Sequence, residues 1–175
     1  MTPEELKETV KLERANYPAL DSGVKRLYAF LCGDRDLYVY KYLRLLRHTE
    51  YYFERKNKNA LYYLPYIFYK GRKNRLGQRI GIDMGEGAFD RGLYIAHTGI
   101  IVGSAKIGKN CKLHGQNCIG SNAVIGDNCE LWVGAKVIGP AHLADNITVA
   151  AGAVVVDSFE EEGITIGGVP ARKLK

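Results

Sequence analysis

The sequence predicts an α+β chain in which an N-terminal helical segment, residues 1–79, is followed by a parallel β-solenoid over residues 80–175. Three observations carry this. From Ile95 to Val155 an aliphatic residue returns every six positions, a period that is neither the 3.6 of a helix nor the 2 of a simple strand. The first half lacks that period and shows helix starts and stops instead. Charge and tyrosine divide at the same place: residues 1–80 carry a net +8 and eleven of the twelve tyrosines, and residues 81–175 a net −2, together the +6 of the chain.

The helical segment opens on Thr2-Pro3-Glu4-Glu5. This is a hydroxyl for the cap, a proline whose missing N–H costs nothing in the first turn, and acids at the positive end of the helix dipole. Asp34 or Asp36 then caps a second helix reaching about Asn57, and Asn59 a third that ends near Gly71. Pro65 kinks or restarts the last of these. The tyrosines cluster in "LYVYKYLRLL", "EYYFERK" and "LYYLPYIFYKGRKNRLG", where packing between helices with the hydroxyls at the surface is the expected use. The basic surplus reads as a solvated helical face, and the aromatic, basic stretch 61–75 is a candidate for peripheral contact with a membrane surface. Nucleic acid is not an expected partner, because no zinc-finger spacing and no aromatic RNA-binding signature accompanies the charge.

In the second half the six-residue step lands on Ile95, Ile101, Ile107, Leu113, Ile119, Ile125, Leu131, Val137, Leu143, Val149 and Val155 without a failure. Four positions after most of them stands a small residue, as at Ala105, Cys111, Ala123, Cys129, Ala135, Ala141 and Ala153. A short flat strand and a corner per hexad, closed into a triangle every three hexads, accounts for the pattern. The aliphatic residue fills the interior, and the small one fits where the walls converge. Coils of 18 residues then stack at strand spacing, about 4.8 Å. Cys111 and Cys129 are one coil apart at the small inward position, so both are expected to be buried packing residues.

Composition bounds the rest. Hydrophobic residues make up 46% and charged residues 25%, the balance of a soluble globular protein. No apolar run approaches the ~20 residues needed to span a bilayer, and "MTPEELKETVKLER" is not a signal peptide. Cys32, Cys111, Cys118 and Cys129 show neither a CxxC nor metal-ligand spacing. A reduced cytoplasmic protein without a metal is expected.

The strings "GIDMGEG", "RGLYIAHTGIIVG", "AKIGKNCKLHGQNCIG", "IGDNCELWVGAKVIG" and "ITIGGVPARKL" resemble those of the serine acetyltransferases and, rather more closely, of their relatives in polysaccharide biosynthesis clusters. The resemblance covers about residues 80–175, with a fainter echo from about 40 to 79. Its most specific parts are the Gly-Leu-x-Ile-x-His-x-Gly string from Gly92 to Gly99 and the closing Gly-Val-Pro-Ala-Arg. It implies a left-handed β-helix, a homotrimer or dimer of trimers with active sites between adjacent prisms, and acetyl-CoA as co-substrate.

The resemblance also implies roles. His97 is the general base that takes a proton from the acceptor hydroxyl as it attacks the thioester. Asp83 orients the imidazole, as the carboxylate of a catalytic triad does, with Glu86 and Asp90 as nearby rivals. A backbone N–H of a neighbouring coil stabilises the oxyanion. CoA runs along the late coils at Gly134-Ala135-Lys136, at Ala151-Gly152-Ala153 and at the Gly168–Lys173 tail, where Arg172 and Lys173 pair with its phosphates. Register adds His114 and Trp132, 18 residues apart on one corner, as an acceptor-pocket residue and its wall or a subunit contact. The glycine-rich loop ending in Arg-His-Pro-Lys-Ile, which brings a second histidine to the substrate carboxylate in serine enzymes, is absent, since "NCIGSNAVIGDN" continues the hexads. An O-acetyltransferase acting on a sugar or serine-like hydroxyl is therefore expected. The alternatives are a serine acetyltransferase of cysteine biosynthesis and a catalytically silent β-helix scaffold.

Overall fold

A computed structural model describes residues 1–85 and 89–174, in two compact units, Met1–Gly81 and Ile82–Lys175. In the first unit, helix α1 (Pro3–Ala15) begins at a capping box: the Thr2 hydroxyl accepts from the Glu5 N–H at 3.1 Å while the Glu5 carboxylate accepts from the Thr2 N–H. Ser22 caps α2 (Gly23–Leu31), a helix the sequence reading did not anticipate. Asp34 caps α3 (Arg35–Lys56) as expected, by accepting from the Asp36 N–H at 2.8 Å. Asn59 caps a single 3₁₀ turn, Ala60–Tyr62, that leads into α4 (Tyr63–Ile80). Pro65 stands in the first turn of α4, where no N–H is required of it. The helix does not stop at Gly71. It runs on to Gly81, which takes the left-handed conformation (φ 68°) that ends helices.

The core of this unit holds Leu20, Val39, Leu43 and Leu46, but also Tyr17 and Tyr42, each 1% exposed. The expectation of tyrosine hydroxyls at the surface fails for these two, whose rings lie wholly among the helices. Arg47 is buried as well, its guanidinium held by Glu13 (3.0 Å) and Glu50 (2.8 Å). Burial opposes its charge, but the two carboxylates outweigh that and raise its pKa above the ordinary arginine value. Among the described residues no helix is long and apolar enough to cross a membrane.

The second unit is a three-walled, left-handed β-helix. One wall stacks the strands Ile82–Met84, Ile100–Val102, Cys118–Ile119, Lys136–Val137 and Val154–Val155, all parallel. A second stacks Lys106–Ile107, Val124–Ile125 and His142–Leu143. The third runs from Tyr94–Ile95 through Lys112–Leu113, Glu130–Leu131 and Thr148–Val149 to Thr165–Gly168, and Ala171–Lys173 closes it as an antiparallel edge. The inward aliphatics Ile95, Leu113, Leu131, Val137 and Val149 are fully buried, each contributing about 1.5–3 kcal/mol of transfer free energy. The corners repeat too. Asn110, Asn128 and Asn146 all take positive φ (56°, 55°, 61°), and their side-chain amides form a ladder at 3.3 and 3.2 Å.

At one place the six-residue step slips. Ile95 pairs with Leu113, an offset of 18, but Ile101 pairs with Cys118 and Val102 with Ile119, an offset of 17. By Lys106 and Val124 the offset is 18 again. The corner after His97 is thus one residue longer than the corner above it, and the next corner is one shorter. Ile100 and Val102 point inward, and Ile101, expected inside, is 57% exposed.

Candidate active site

His97 stands on that lengthened corner, just after the strand Tyr94–Ile95, and is exposed. The backbone on either side of it is tied to the next coil, with Ala96 N–H donating to Leu113 C=O at 2.9 Å and Gln116 N–H to Thr98 C=O at 3.0 Å. The extra residue falls between His97, which lies against Gly115, and Gly99, which lies against Gln116; Gly99 (φ 80°) and Gln116 (φ 53°) both turn the chain with positive φ. Above His97 lies Gly115, with φ 110°. A Cβ on Gly115 would stand 2.6 Å from the His97 Cβ and 3.1 Å from the Thr98 oxygen, closer than carbon atoms approach. The coil next to the histidine is therefore bare of side chain at this point.

Asn117 holds the bare corner in shape. It is 1% exposed at the inward position that alanine or cysteine fills in other hexads. Its Oδ1 accepts from the Gly115 N–H at 2.9 Å, and its Nδ2 donates to Trp132 C=O (2.9 Å) and Ala135 C=O (3.2 Å). A buried amide with three partners is satisfied and fixes the loop it spans. The sequence carried one signal for it, a polar residue in a slot otherwise small and apolar.

The stacking inferred for His114 and Trp132 is present: their rings lie 4.5 Å apart and 2° from parallel. The Nε2 of His114 meets the Glu130 carboxylate at 2.6 Å. Glu130, which the sequence reading missed, precedes the inward Leu131 and so faces outward. Trp132 remains 44% exposed, enough indole to form a wall.

Asp83 faces outward between the inward Ile82 and Met84, and in register it pairs with Ile101, the residue pushed out by the slip. Asp90 is also exposed, its N–H donating to Ile107 C=O at 2.9 Å. Glu86, the third carboxylate considered, lies outside the described residues.

The positions expected to meet CoA are of two kinds. Ala135 and Ala153 turn their methyl groups into the core, and the N–H groups of Gly134, Ala135, Lys136, Gly152 and Ala153 all donate within the protein, at 2.8–3.2 Å. A ligand along this edge would meet the exposed Ala151, the Lys136 side chain and backbone carbonyls instead. Arg172 is held by Asp157 at 2.9 Å and Lys173 by Glu161 at 2.6 Å. All four side chains are about half exposed or more, so these pairs are weak and a phosphate can displace the carboxylates. The charge of the tail fits a phosphorylated ligand, but N–H groups at these turns are already committed. The Gly115 and Gln116 N–H groups beside His97 are committed too, to Asn117 and Thr98. Among the described residues no three His, Cys, Asp or Glu side chains converge to hold a metal ion.

No family model and no curated protein matches the chain. Solved structures do. A Neisseria gonorrhoeae serine acetyltransferase in complex with serine is 24% identical, with a TM-score of 0.68, over 99% of this chain and 70% of that one. A serine acetyltransferase in complex with CoA is 19% identical, with a TM-score of 0.68, over 98% and 70%. The soybean serine acetyltransferase complexed with serine is 17% identical, with a TM-score of 0.73, over 98% and 70%. At these identities the likeness is one of architecture, and it spans both units: the chain has the fold of the serine acetyltransferases, helices followed by a left-handed β-helix of hexapeptide repeats.

Proposed function

We propose that the protein is an acetyl-CoA-dependent O-acetyltransferase in which His97 is the general base. The observation that carries this is the corner itself: an exposed imidazole on a coil lengthened by one residue, with a glycine packed so closely on it that no side chain of the next coil stands between them. Two solved structures of the same fold hold serine and another holds CoA, which supports a hydroxyl acceptor and a thioester donor. Acetyl-CoA supplies the activated acyl carbon. The neutral imidazole of His97 takes the hydroxyl proton as the oxygen attacks, and Asp83, reaching outward from the preceding coil, is the carboxylate that steadies the resulting imidazolium. Lys136, Arg172 and Lys173 offer charge to the phosphates.

The acceptor that suits the site is a sugar or glycan hydroxyl. From Lys106 to Val155 the strands repeat at 18 residues with no loop inserted, so the hexads carry no added loop that would bring a cation to the histidine. On that wall Lys112 stands in register between Tyr94 and Glu130, and the Glu130 carboxylate is engaged by His114 at 2.6 Å, so the cation this wall offers is one the hexads themselves supply. A homotrimer completes a groove between prisms. In the helical unit, exposed Leu61, Leu64 and Phe68 beside Arg72 support peripheral membrane contact, which sedimentation with anionic vesicles tests.

The deciding experiment is a thiol-release assay with acetyl-CoA, comparing L-serine with a panel of nucleotide sugars and oligosaccharides, for the parent and for His97→Ala. The expected result is turnover with a glycan hydroxyl that falls ~10²–10⁴-fold in the variant while acetyl-CoA affinity holds. Serine turnover at a kcat/KM of ~10⁴ M⁻¹s⁻¹ or above would reverse the acceptor preference. Calorimetry showing no acetyl-CoA binding at millimolar concentration would favour the silent scaffold.

A further inference from the structure

The helical unit carries an open groove of about 520 Å³ that the acetyl-transfer reading does not use. Three cations of α1, Lys7, Lys11 and Arg14, line one side of it at helical spacing. Among the described residues none of the three lies within ion-pairing distance of a carboxylate, and no carboxylate lines the groove. Of the acids beside them in sequence, Glu8 is exposed and does not line the groove, and Glu13 is turned into the core and held by Arg47. In the solenoid unit Arg172 and Lys173 each hold an acid. Here three stand together with none.

The opposite side is aromatic. His48, Tyr52 and Tyr69 form a continuous stack, with ring centroids 4.8 Å apart for His48 and Tyr69 and 5.4 Å apart for Tyr52 and Tyr69, at 23° and 14°. The His48 Nδ1 lies 2.7 Å from the Arg44 carbonyl. A carbonyl only accepts, so Nδ1 carries a proton and the ring is locked in orientation. Burial raises the pKa of both Tyr52 and Tyr40, keeping these phenols neutral. A rigid ring platform facing unpaired cations matches a ligand that is planar at one end and multiply anionic at the other. The volume lies in the range of small-molecule sites.

We infer that this groove binds a nucleotide-class ligand, the phosphates on Lys7, Lys11 and Arg14 and the base against the His48–Tyr69–Tyr52 stack. The inference stands apart from the acetyl-transfer reading and survives if His97 has no catalytic role. The test is calorimetric titration of the full chain with ADP and UDP, beside pyrophosphate as a ring-free probe and adenosine as a charge-free probe. Because a CoA site would also accept ADP, the same titrations are run on Lys7→Ala/Lys11→Ala, a pair of exposed helix positions, with circular dichroism to check that the variant is folded. The expected result is micromolar nucleotide binding, at least tenfold weaker binding of each half-probe, and a tenfold or greater loss in the double variant with acetyl-CoA affinity unchanged. Nucleotide affinity that the double variant retains would overturn the inference. So would pyrophosphate binding as tightly as ADP, or no nucleotide binding at millimolar concentration.

Discussion

Gly115 lies across from His97 so closely that a single added carbon would touch it, at 2.6 Å between β-carbons. The histidine's freedom is set by what its neighbour lacks. Gly115→Ala meets two obstacles, the contact with His97 and Thr98 and a φ of 110° that costs an alanine about 1–3 kcal/mol. The expected outcome is a protein that still folds, with a melting temperature lower by roughly 2–10 °C, and a turnover at least ten times slower because the imidazole is displaced. Thermal denaturation beside the thiol-release assay checks both. Parent-like turnover would show that the ring tolerates displacement.

Asp83→Asn keeps the shape of the side chain and removes its charge. If Asp83 steadies the imidazolium, kcat falls by more than tenfold, toward the ~10⁴ known for the equivalent change in a serine-protease triad, with oligomeric mass unchanged. An unaltered rate would pass the role to Glu86, to Asp90 or to no carboxylate at all.

Arg47→Met leaves Glu13 and Glu50 buried without their cation. Removing one partner of such a cluster costs about 3–5 kcal/mol, so the helical unit should melt well below the parent. Adding Glu13→Gln and Glu50→Gln should recover much of the loss. Because the folded pKa of Arg47 lies above its unfolded value, its stabilisation is complete below the unfolded value and is lost only as pH rises through the folded one. This contribution is therefore flat across pH 5–9. A parent-like melting temperature in Arg47→Met would contradict the reading.

The thiols should fall into classes. Hydrogen bonding with Cys129 and burial push the Cys111 pKa up, and its Sγ approaches the Gly126 carbonyl at 3.1 Å, so it stays protonated and shielded. Cys129 is buried too, whereas Cys32 is exposed. With an aromatic disulfide reagent at pH 8, Cys32 should react first, Cys118 more slowly, and Cys111 and Cys129 only after denaturation. Four equally fast thiols would mean that the coils open readily.

In solution the mass by light scattering should be a multiple of three chains. The exposed flank of Trp132, Val133 and Ile138 is the apolar surface a neighbouring prism would cover. A monodisperse, active monomer would rule out a shared site.

The solenoid was legible because its period is long and its inward positions nearly uniform. The slip at His97 was not, since Ile100, Ile101 and Val102 are three aliphatics in a row and any of them satisfies a six-residue step. Only the pairing with Cys118 and Ile119 shows which two point inward. Helix α4 was cut short in the sequence reading because Gly71 resembles a stop signal. It sits inside the helix, and the left-handed Gly81 is the stop. Helix α2 was legible in principle, since Ser22 caps it and Val24, Leu27, Tyr28 and Leu31 stand at helical spacing; what the spacing does not tell is that this apolar side faces solvent. Glu130 meets His114 and Asn117 meets Trp132 and Ala135 on neighbouring coils, 15–18 residues apart in sequence, and single-position patterns do not reveal such partners.

The antiparallel Ala171–Lys173 edge, with Leu174 N–H donating to Thr165 C=O at 2.8 Å, ends a stack whose every other coil is a template for the next. Parallel coils of one length have no internal reason to stop, and a bare last coil would offer its open edge to any extended chain. Reversing the strand direction spends those edge groups on the protein's own tail. The tail therefore covers the last coil of that wall with a strand that does not repeat the coil, and a chain without it would be expected to present the bare Thr165–Gly168 edge.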